Sequence, residues 1–172
     1  MSDEPEALAR AAGVLPAAIR EGIRSFQLSP HRNQLVGSIS GVQYVNDSKA
    51  TNSHAAQASL ASYDSVVWIV GGLFKGVDPS DLIVEHANRL RAAVLIGKDT
   101  TELAARFAEL APQVALRVIS GGNVMQQAVE QASALAQPGD TVLLAPAAAS
   151  MDQFRDYQDR GNQFIAAVRG LG

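Results

Sequence analysis

From residue 65 onward the chain alternates short apolar runs with amphipathic helical stretches, and that alternation restricts the possible folds more than any other feature. Residues 65–70 form a run of Val and Ile around Trp68, as expected of a strand buried on both faces. Residues 92–96, 115–119 and 141–144 read as further strands, and the segments between them, 79–90, 100–110 and 123–136, carry the helical period. Pro79 suits a first helical turn, and Asp99 with Glu102 has the spacing of a capping box for the second of these helices. Strands separated by single helices imply a mostly parallel sheet with right-handed crossovers.

The flanking segments complete the sheet. Residues 33–39 and 42–46 read as two strands joined at Ser40-Gly41, a hairpin signal that predicts an antiparallel edge. Residues 151–169 read as a final helix with Phe154, Tyr157, Gly161, Phe164, Ile165 and Val168 along one stripe, introduced by a second capping box at Ser150 and Gln153. Residues 5–26 suggest two short helices broken at 13–16. The predicted class is α/β and Rossmann-like: a mostly parallel sheet of about six strands with an antiparallel edge hairpin and helices on both faces. A length of 172 residues fits one domain that buries about two-thirds of its extended-chain surface.

Charge and composition narrow the function classes. A net charge of −3 with no long basic run argues against a nucleic-acid surface. No apolar stretch approaches the roughly 20 residues that span a bilayer, so no membrane insertion is expected. The first residues lack the charged and apolar regions of a secretory signal. The absence of cysteine excludes disulfides, thiolate metal sites and cysteine nucleophiles, a composition compatible with the cytoplasm.

Chemistry concentrates where the second strand of the hairpin stops. In Tyr44-Val45-Asn46-Asp47-Ser48-Lys49-Ala50-Thr51-Asn52 an acid, a base and small hydroxyl residues crowd between an extended run and a helix start. A buried strand cannot absorb Asp47 and Lys49 cheaply, so both are expected at its carboxyl end, where open α/β sheets bind ligands. Thr51 and Asn52 would stand at free helix N–H groups suited to an anion, although a helix cap beside a solvated ion pair accounts for the same residues. Loops 71–78, 97–100, 120–123 and 145–152 are expected to share this edge. Gly71-Gly72-Leu73-Phe74-Lys75-Gly76 offers close backbone approach and one cation without the Gly-Lys-Ser/Thr of a phosphate loop; an ordinary glycine turn with a solvated lysine also fits. Gly97-Lys98 and Gly121-Gly122 read as turn residues, and Arg160-Gly161 reads as helix packing. His54 and His86 have no metal-ligand partner at workable spacing and are taken as surface or cap residues, so no metal site is expected.

The run from Asn46 to Asn52 resembles the signature that opens the C-terminal domain of the peptidoglycan Mur ligases, in the form carried by their D-glutamate-adding branch. Ser29-Pro30-His31-Arg32, the Gly71–Gly76 loop and residues 145–161 agree with that family in order and spacing. The resemblance implies that Lys49 is the catalytic lysine, near the γ-phosphate of ATP or an acyl-phosphate intermediate. It implies that His31, Arg32 and Asp47 join Lys49 in binding the nucleotide, and that Thr51, Lys75, Ser150, Met151 and Tyr157 hold D-glutamate. Leu73 replaces the aspartate that often follows the two glycines in the family, and Met151 and Tyr157 stand where Leu and Phe are commoner.

The reaction so implied is amide formation driven by ATP, with UDP-N-acetylmuramoyl-L-alanine as the other substrate, bound through further domains. Nothing in the chain reads as a phosphate-gripping loop or a pair of Mg²⁺-ligating carboxylates, and in the family ATP and Mg²⁺ are held mainly by a central domain that cannot fit ahead of Ala9. The expectation is therefore a C-terminal domain at residues 29–172, inactive alone, with residues 1–28 the helical tail of the central domain and linker. A free-standing nucleotide-binding module and a non-catalytic protein-interaction domain stay open as alternatives; the first is weakened by the lack of a Gly-x-Gly-x-x-Gly fingerprint after an early strand.

Overall fold

The computed structural model describes residues 12–15, 18 and 29–172. The two helices expected within residues 5–26, and with them the tail assigned to residues 1–28, lie for the most part outside the described residues. In chain order the elements are β1 (Gln34–Ile39), β2 (Val42–Asn46), α1 (Ser53–Leu60), β3 (Val66–Gly71), α2 (Ser80–His86), β4 (Leu90–Ile96), α3 (Thr101–Leu110), β5 (Ala115–Val118), α4 (Val124–Leu135), β6 (Thr141–Leu144) and α5 (Tyr157–Arg169). They build a six-stranded sheet in the order β1-β2-β6-β3-β4-β5. Only the β1–β2 pair is antiparallel, through a turn in which Ser40 and Gly41 both have positive φ, and every other pair is parallel.

Alternation along the central strands explains the layers. Val66, Trp68 and Val70 of β3 face a core shared with Ala56 and Leu60 of α1, Leu82 and Ile83 of α2, and Leu103 and Phe107 of α3. Val67 and Ile69 face the opposite core, with Met125, Ala128, Val129 and Ala132 of α4 and Phe164, Ala167 and Val168 of α5. Each such Val, Leu, Ile or Phe contributes about 1.5–3 kcal/mol by leaving water. Trp68 is fully buried; its indole N–H donates to the Ala145 carbonyl at 2.7 Å, and Phe107 meets its ring edge-on. That bond anchors the loop after β6 to the middle of the sheet.

Several local expectations need correction. The last helix starts at Tyr157, not Met151. The Ser150 carbonyl accepts the Gln153 and Phe154 N–H groups for a single turn, after which Asp156 turns extended and caps α5 through the Asp159 N–H at 2.7 Å. Asp159 in turn accepts the N–H of Arg155, the residue before the cap, so the helix start sits six residues beyond the one read from Ser150. The buried face of α5 is Arg160, Gly161, Phe164, Ala167 and Val168, with Tyr157 and Ile165 only half-buried. Helix α2 ends at His86 and tightens into a 3₁₀ turn, Ala87–Arg89, because Leu90 already belongs to β4. At α3, Asp99 accepts the Thr101 N–H, while Glu102 faces Arg106 and does not close a box.

A polar clamp closes the opposite edge of the sheet. Asp140, 2% exposed just before β6, accepts bonds from the Arg91 guanidinium, the Ser65 hydroxyl at 2.6 Å and the Gln137 N–H at 2.7 Å. Burial raises the pKa of this carboxyl, but the Arg91, Ser65 and Gln137 bonds outweigh it and hold the group below the usual range. A depressed carboxylate contributes stability that is present above its unfolded pKa of about 3.9 and is lost as pH falls through the folded value. Asp140→Asn is expected to cost about 1–3 kcal/mol at pH 7 in chemical denaturation. The difference from wild type should shrink below about pH 4, where the native carboxyl also takes up its proton.

Candidate functional site

The strand order determines where a ligand can sit. The crossovers through α1, α2 and α3 all run over one face, whereas α4 returns over the other and delivers β6 into the gap between β2 and β3. The chain leaves β2 and β3 toward one layer and leaves β6 toward the opposite one, which opens a crevice at their carboxyl ends. Loops 46–52, 71–78 and 145–152 meet there.

Direct backbone pairing joins them. The Asp47 N–H donates to Leu144 O at 2.8 Å, Ala147 N–H to Ala50 O at 3.0 Å, and Gly71 N–H to Pro146 O at 2.9 Å. Leu73 and Ala149 exchange two bonds as a short antiparallel bridge. This approach requires glycine: a Cβ on Gly71 would meet the Ile96 carbonyl and one on Gly72 the Ala149 carbonyl, both deep inside van der Waals contact. His31, Asn33, Lys75 and Ala147 all take positive φ without being glycine. Such backbone costs about 1 kcal/mol or more per residue and tends to collect at functional rims.

At the end of β2, buried Asn46 organises the first loop. Its Oδ1 accepts the Ser48 N–H at 3.1 Å, which fixes the amide so that Nδ2 donates to Gly161 O at 3.2 Å and to His31 Nδ1 at 3.0 Å. His31 Nδ1 is thus an acceptor and the neutral ring carries its proton on Nε2. Burial lowers the His31 pKa and the nearby Asp156 charge opposes the shift. Asp47, also buried, accepts the Ser59 hydroxyl through Oδ2. Lys49 holds its ammonium 5.6 Å from the centroid of the Tyr157 ring, which His31 meets edge-on at 6.3 Å.

Two residues that the sequence assigned to helix packing hold this arrangement together. Arg160 is fully buried; its Nε donates to Ser48 Oγ at 3.0 Å, Nη2 to Ser48 O at 2.8 Å and Nη1 to Ala148 O at 3.1 Å. Ser48 Oγ in turn donates its own hydrogen bond to Tyr157 O at 2.8 Å. Burial pushes the Arg160 pKa down to about 10, partly offset by the Asp152 charge. Gly161, the next residue, sits against the His31 ring where a Cβ would collide with Nδ1. The signal available in the sequence was an arginine and a glycine on the otherwise apolar inner face of an amphipathic helix.

The structure brings most of the predicted residues to this rim. Arg32, Asp47 and Lys49 line one cleft of about 380 Å³ with Asn33, Ala50 and Ser59. Tyr157 stands beside Lys49, and buried Ser150 follows the Ala149 bridge. Lys75 is exposed on the far side of that bridge, and the Met151 side chain is 62% exposed. Thr51 is half-buried, but the N-cap of α1 is Asn52, whose Oδ1 takes the Ala55 N–H at 2.9 Å and so spends one of the donors expected for an anion. His54 is exposed as expected, whereas His86 is buried at the end of α2 with neither ring nitrogen bonded, so it is not a surface residue. Gly97, Lys98, Gly121 and Gly122 line a separate cleft of about 600 Å³ above β4 and β5.

Gly161→Ala provides a test of the packing at His31. Alanine gains about 1 kcal/mol over glycine inside a free helix. Here the clash should reverse the sign and cost about 1–3 kcal/mol in thermal or denaturant unfolding, with amide shifts at His31 and Asn46. A more stable variant would mean that the ring swings away freely.

The likeness to known proteins agrees with this geometry. Residues 31–148 match the family described as Mur ligase, glutamate ligase domain. The chain is 53% identical over 167 residues to a UDP-N-acetylmuramoylalanine--D-glutamate ligase of Streptomyces coelicolor, covering 96% of this chain and 36% of the relative. Identity to the enzyme of the same name from Frankia casuarinae is 57%, over 95% of this chain and 34% of the relative. The chain thus spans about a third of the length of these relatives. Among solved structures, the UDP-N-acetylmuramate-alanine ligase MurC of Thermotoga maritima superposes with a TM-score of 0.61 at 10% identity, over 96% of this chain and 36% of that one, which bears out the fold. By sequence and by architecture the chain belongs to the Mur ligase family, of which it is the glutamate ligase domain.

Proposed function

We propose that this domain serves a cytoplasmic ATP-dependent ligase that adds D-glutamate to UDP-N-acetylmuramoyl-L-alanine in peptidoglycan synthesis, and that its share is to bind D-glutamate and close over ATP. The observation that carries this reading is the single rim beside β6, where the loop of Lys49 pairs with the loop of Ser150 through Ala50 and Ala147, and that loop pairs with the loop of Lys75 through Leu73 and Ala149. The names of relatives at 53% and 57% identity support it. ATP transfers its γ-phosphoryl group to the carboxylate of the nucleotide sugar. The D-glutamate amine then attacks the acyl phosphate, phosphate departs with the electron pair of the broken C–O bond, and the amine loses a proton.

In this reading the cleft of Arg32, Asp47 and Lys49 takes the nucleotide, with His31 joined to it through its carbonyl, which accepts the Lys49 N–H. Asp47 keeps Oδ1 for a ribose hydroxyl because Ser59 occupies Oδ2. Lys49 and Arg32 stabilise charge on the transferring phosphoryl group. Thr51, Lys75, Ser150, the Met151 backbone and Tyr157 hold the two carboxylates of D-glutamate. By the family resemblance, the Mg²⁺ that accompanies ATP is held mainly by the ligase beyond this chain. Among the described residues no helix is long and apolar enough to cross a membrane.

An amide NMR titration of this chain with D-glutamate, with L-glutamate as control, is expected to shift Thr51, Lys75, Ser150 and Tyr157 for the D form alone. In the intact ligase Lys49→Ala should lower kcat by about 10²–10³, the usual loss when one group that stabilises transition-state charge is removed, with an unchanged melting temperature. This chain alone should not hydrolyse ATP. Equal shifts with both enantiomers, or full turnover in the lysine variant, would overturn the assignment.

A further inference from the structure

Arg160 is a buried cation without a carboxylate partner: among the described residues no acid lies within ion-pair distance of it, and Asp152 acts on it only from farther away. Its place is unfavourable on a second count, because it follows directly on the first turn of α5, where the helix dipole disfavours positive charge. An apolar side chain of similar length would fill the same space without that charge, at the cost of leaving the Ser48 and Ala148 carbonyls without this donor. Helix packing alone therefore does not account for an arginine here. Its acceptors do: Ser48 Oγ and O on the loop that carries Lys49, and Ala148 O on the loop that carries Ser150. The planar fork of a guanidinium can span two loops with fixed geometry, which the single ammonium of a lysine cannot.

We infer that Arg160 is the positioning residue of the rim: it sets the separation of the 46–51 and 145–150 loops, and its unneutralised charge favours a dicarboxylate ligand bound between them. The inference rests on the ligase reading for the ligand, the dicarboxylate D-glutamate; what the geometry itself supplies is a fixed positive charge between the two loops. A charge enclosed in low dielectric acts across several ångströms with little screening, so an arriving anion supplies the counter-ion that the fold omits.

The test has two arms. In the intact ligase, Arg160→Met is expected to raise the KM for D-glutamate by about 10–100-fold, the equivalent of losing hydrogen bonds from a charged group, while the KM for the nucleotide sugar stays within about twofold. Arg160→Lys should fall between Met and wild type, because it restores the charge without the fork. In this chain, glutarate serves as the dicarboxylate probe: it should raise the melting temperature of the wild type and leave that of Arg160→Met unmoved. An unchanged D-glutamate KM in both variants overturns the inference, as does glutarate stabilisation that is absent from the wild type or equal in the two chains. Stabilisation lost in Arg160→Met, in a ligase that does not use D-glutamate, overturns the ligase reading and sustains the dicarboxylate site. If Arg160→Met does not fold, the lysine variant decides, and a wild-type D-glutamate KM in it overturns the inference.

Discussion

A guanidinium enclosed beneath the crevice is the interaction on which the rim depends. Arg160 ties the last helix to Ser48, 112 residues earlier in the chain, and to Ala148, 12 residues earlier. Gly161, its neighbour, gives its carbonyl to Asn46 and its missing side chain to the His31 ring. Two consecutive residues at the start of α5 thus orient the segment before β1, the loop after β2 and the loop after β6. Every polar atom of Ser48 that could drift is engaged: its N–H by Asn46, its carbonyl by Arg160, its hydroxyl by Arg160 and Tyr157. Lys49 follows directly, so its backbone direction is fixed before any ligand arrives.

The placement of β6 explains why so distant a tie is needed. Strands β2 and β3 are consecutive in sequence yet do not pair; the strand between them arrives only after α4 has recrossed the sheet. The crevice is therefore incomplete until the last third of the chain is docked, and its contacts are among the longest-range in the fold. Contacts of this kind form late, after the loop-closure entropy has been met. The indole bond from Trp68 to Ala145 and the Leu73–Ala149 bridge then tie the β6 loop to the strand beside it. In this design a rim competent to bind is a property of the whole folded domain and not of any one loop.

Much of this was legible in the sequence, and the reason differs from element to element. Residues 66–71 announce a strand because a doubly buried strand must be apolar on both sides, and Ser40-Gly41 announces a turn because both residues tolerate positive φ. The motif Asn46–Asn52 was legible because Asp47 and Lys49 cannot remain inside a strand. The start of α5 was not, since Ser150-x-x-Gln153 and Asp156-x-x-Asp159 both have capping spacing. Only the tertiary pull of the β6 loop toward Leu73 decides between them. The insertion of β6 between β2 and β3 leaves no local trace at all. His86 was misjudged because a polar side chain is expected at the surface, and its burial depends on neighbours that periodicity does not identify; Arg160 was read as helix packing, and what periodicity could not show was the hydrogen bonds it makes to two loops.

The positive charges at the crevice differ in kind, and the difference bears on how it can select an anion. Lys75 and Arg32 are exposed on flexible stems, and Lys49 is steadied only by the Tyr157 ring. Such groups can follow a ligand as it moves from the ground state toward a transition state, at some cost in side-chain entropy. Arg160 cannot follow anything; three hydrogen bonds hold it in one pose. A fixed charge discriminates by geometry, because its attraction weakens with distance from one set position, whereas mobile charges can move to meet an anion. The combination gives a rim whose spacing is set from below and whose contacts close from above. On the proposed reading, shape selection resides in the buried arginine, and adaptation to the reacting atoms resides in exposed Lys75 and half-buried Lys49.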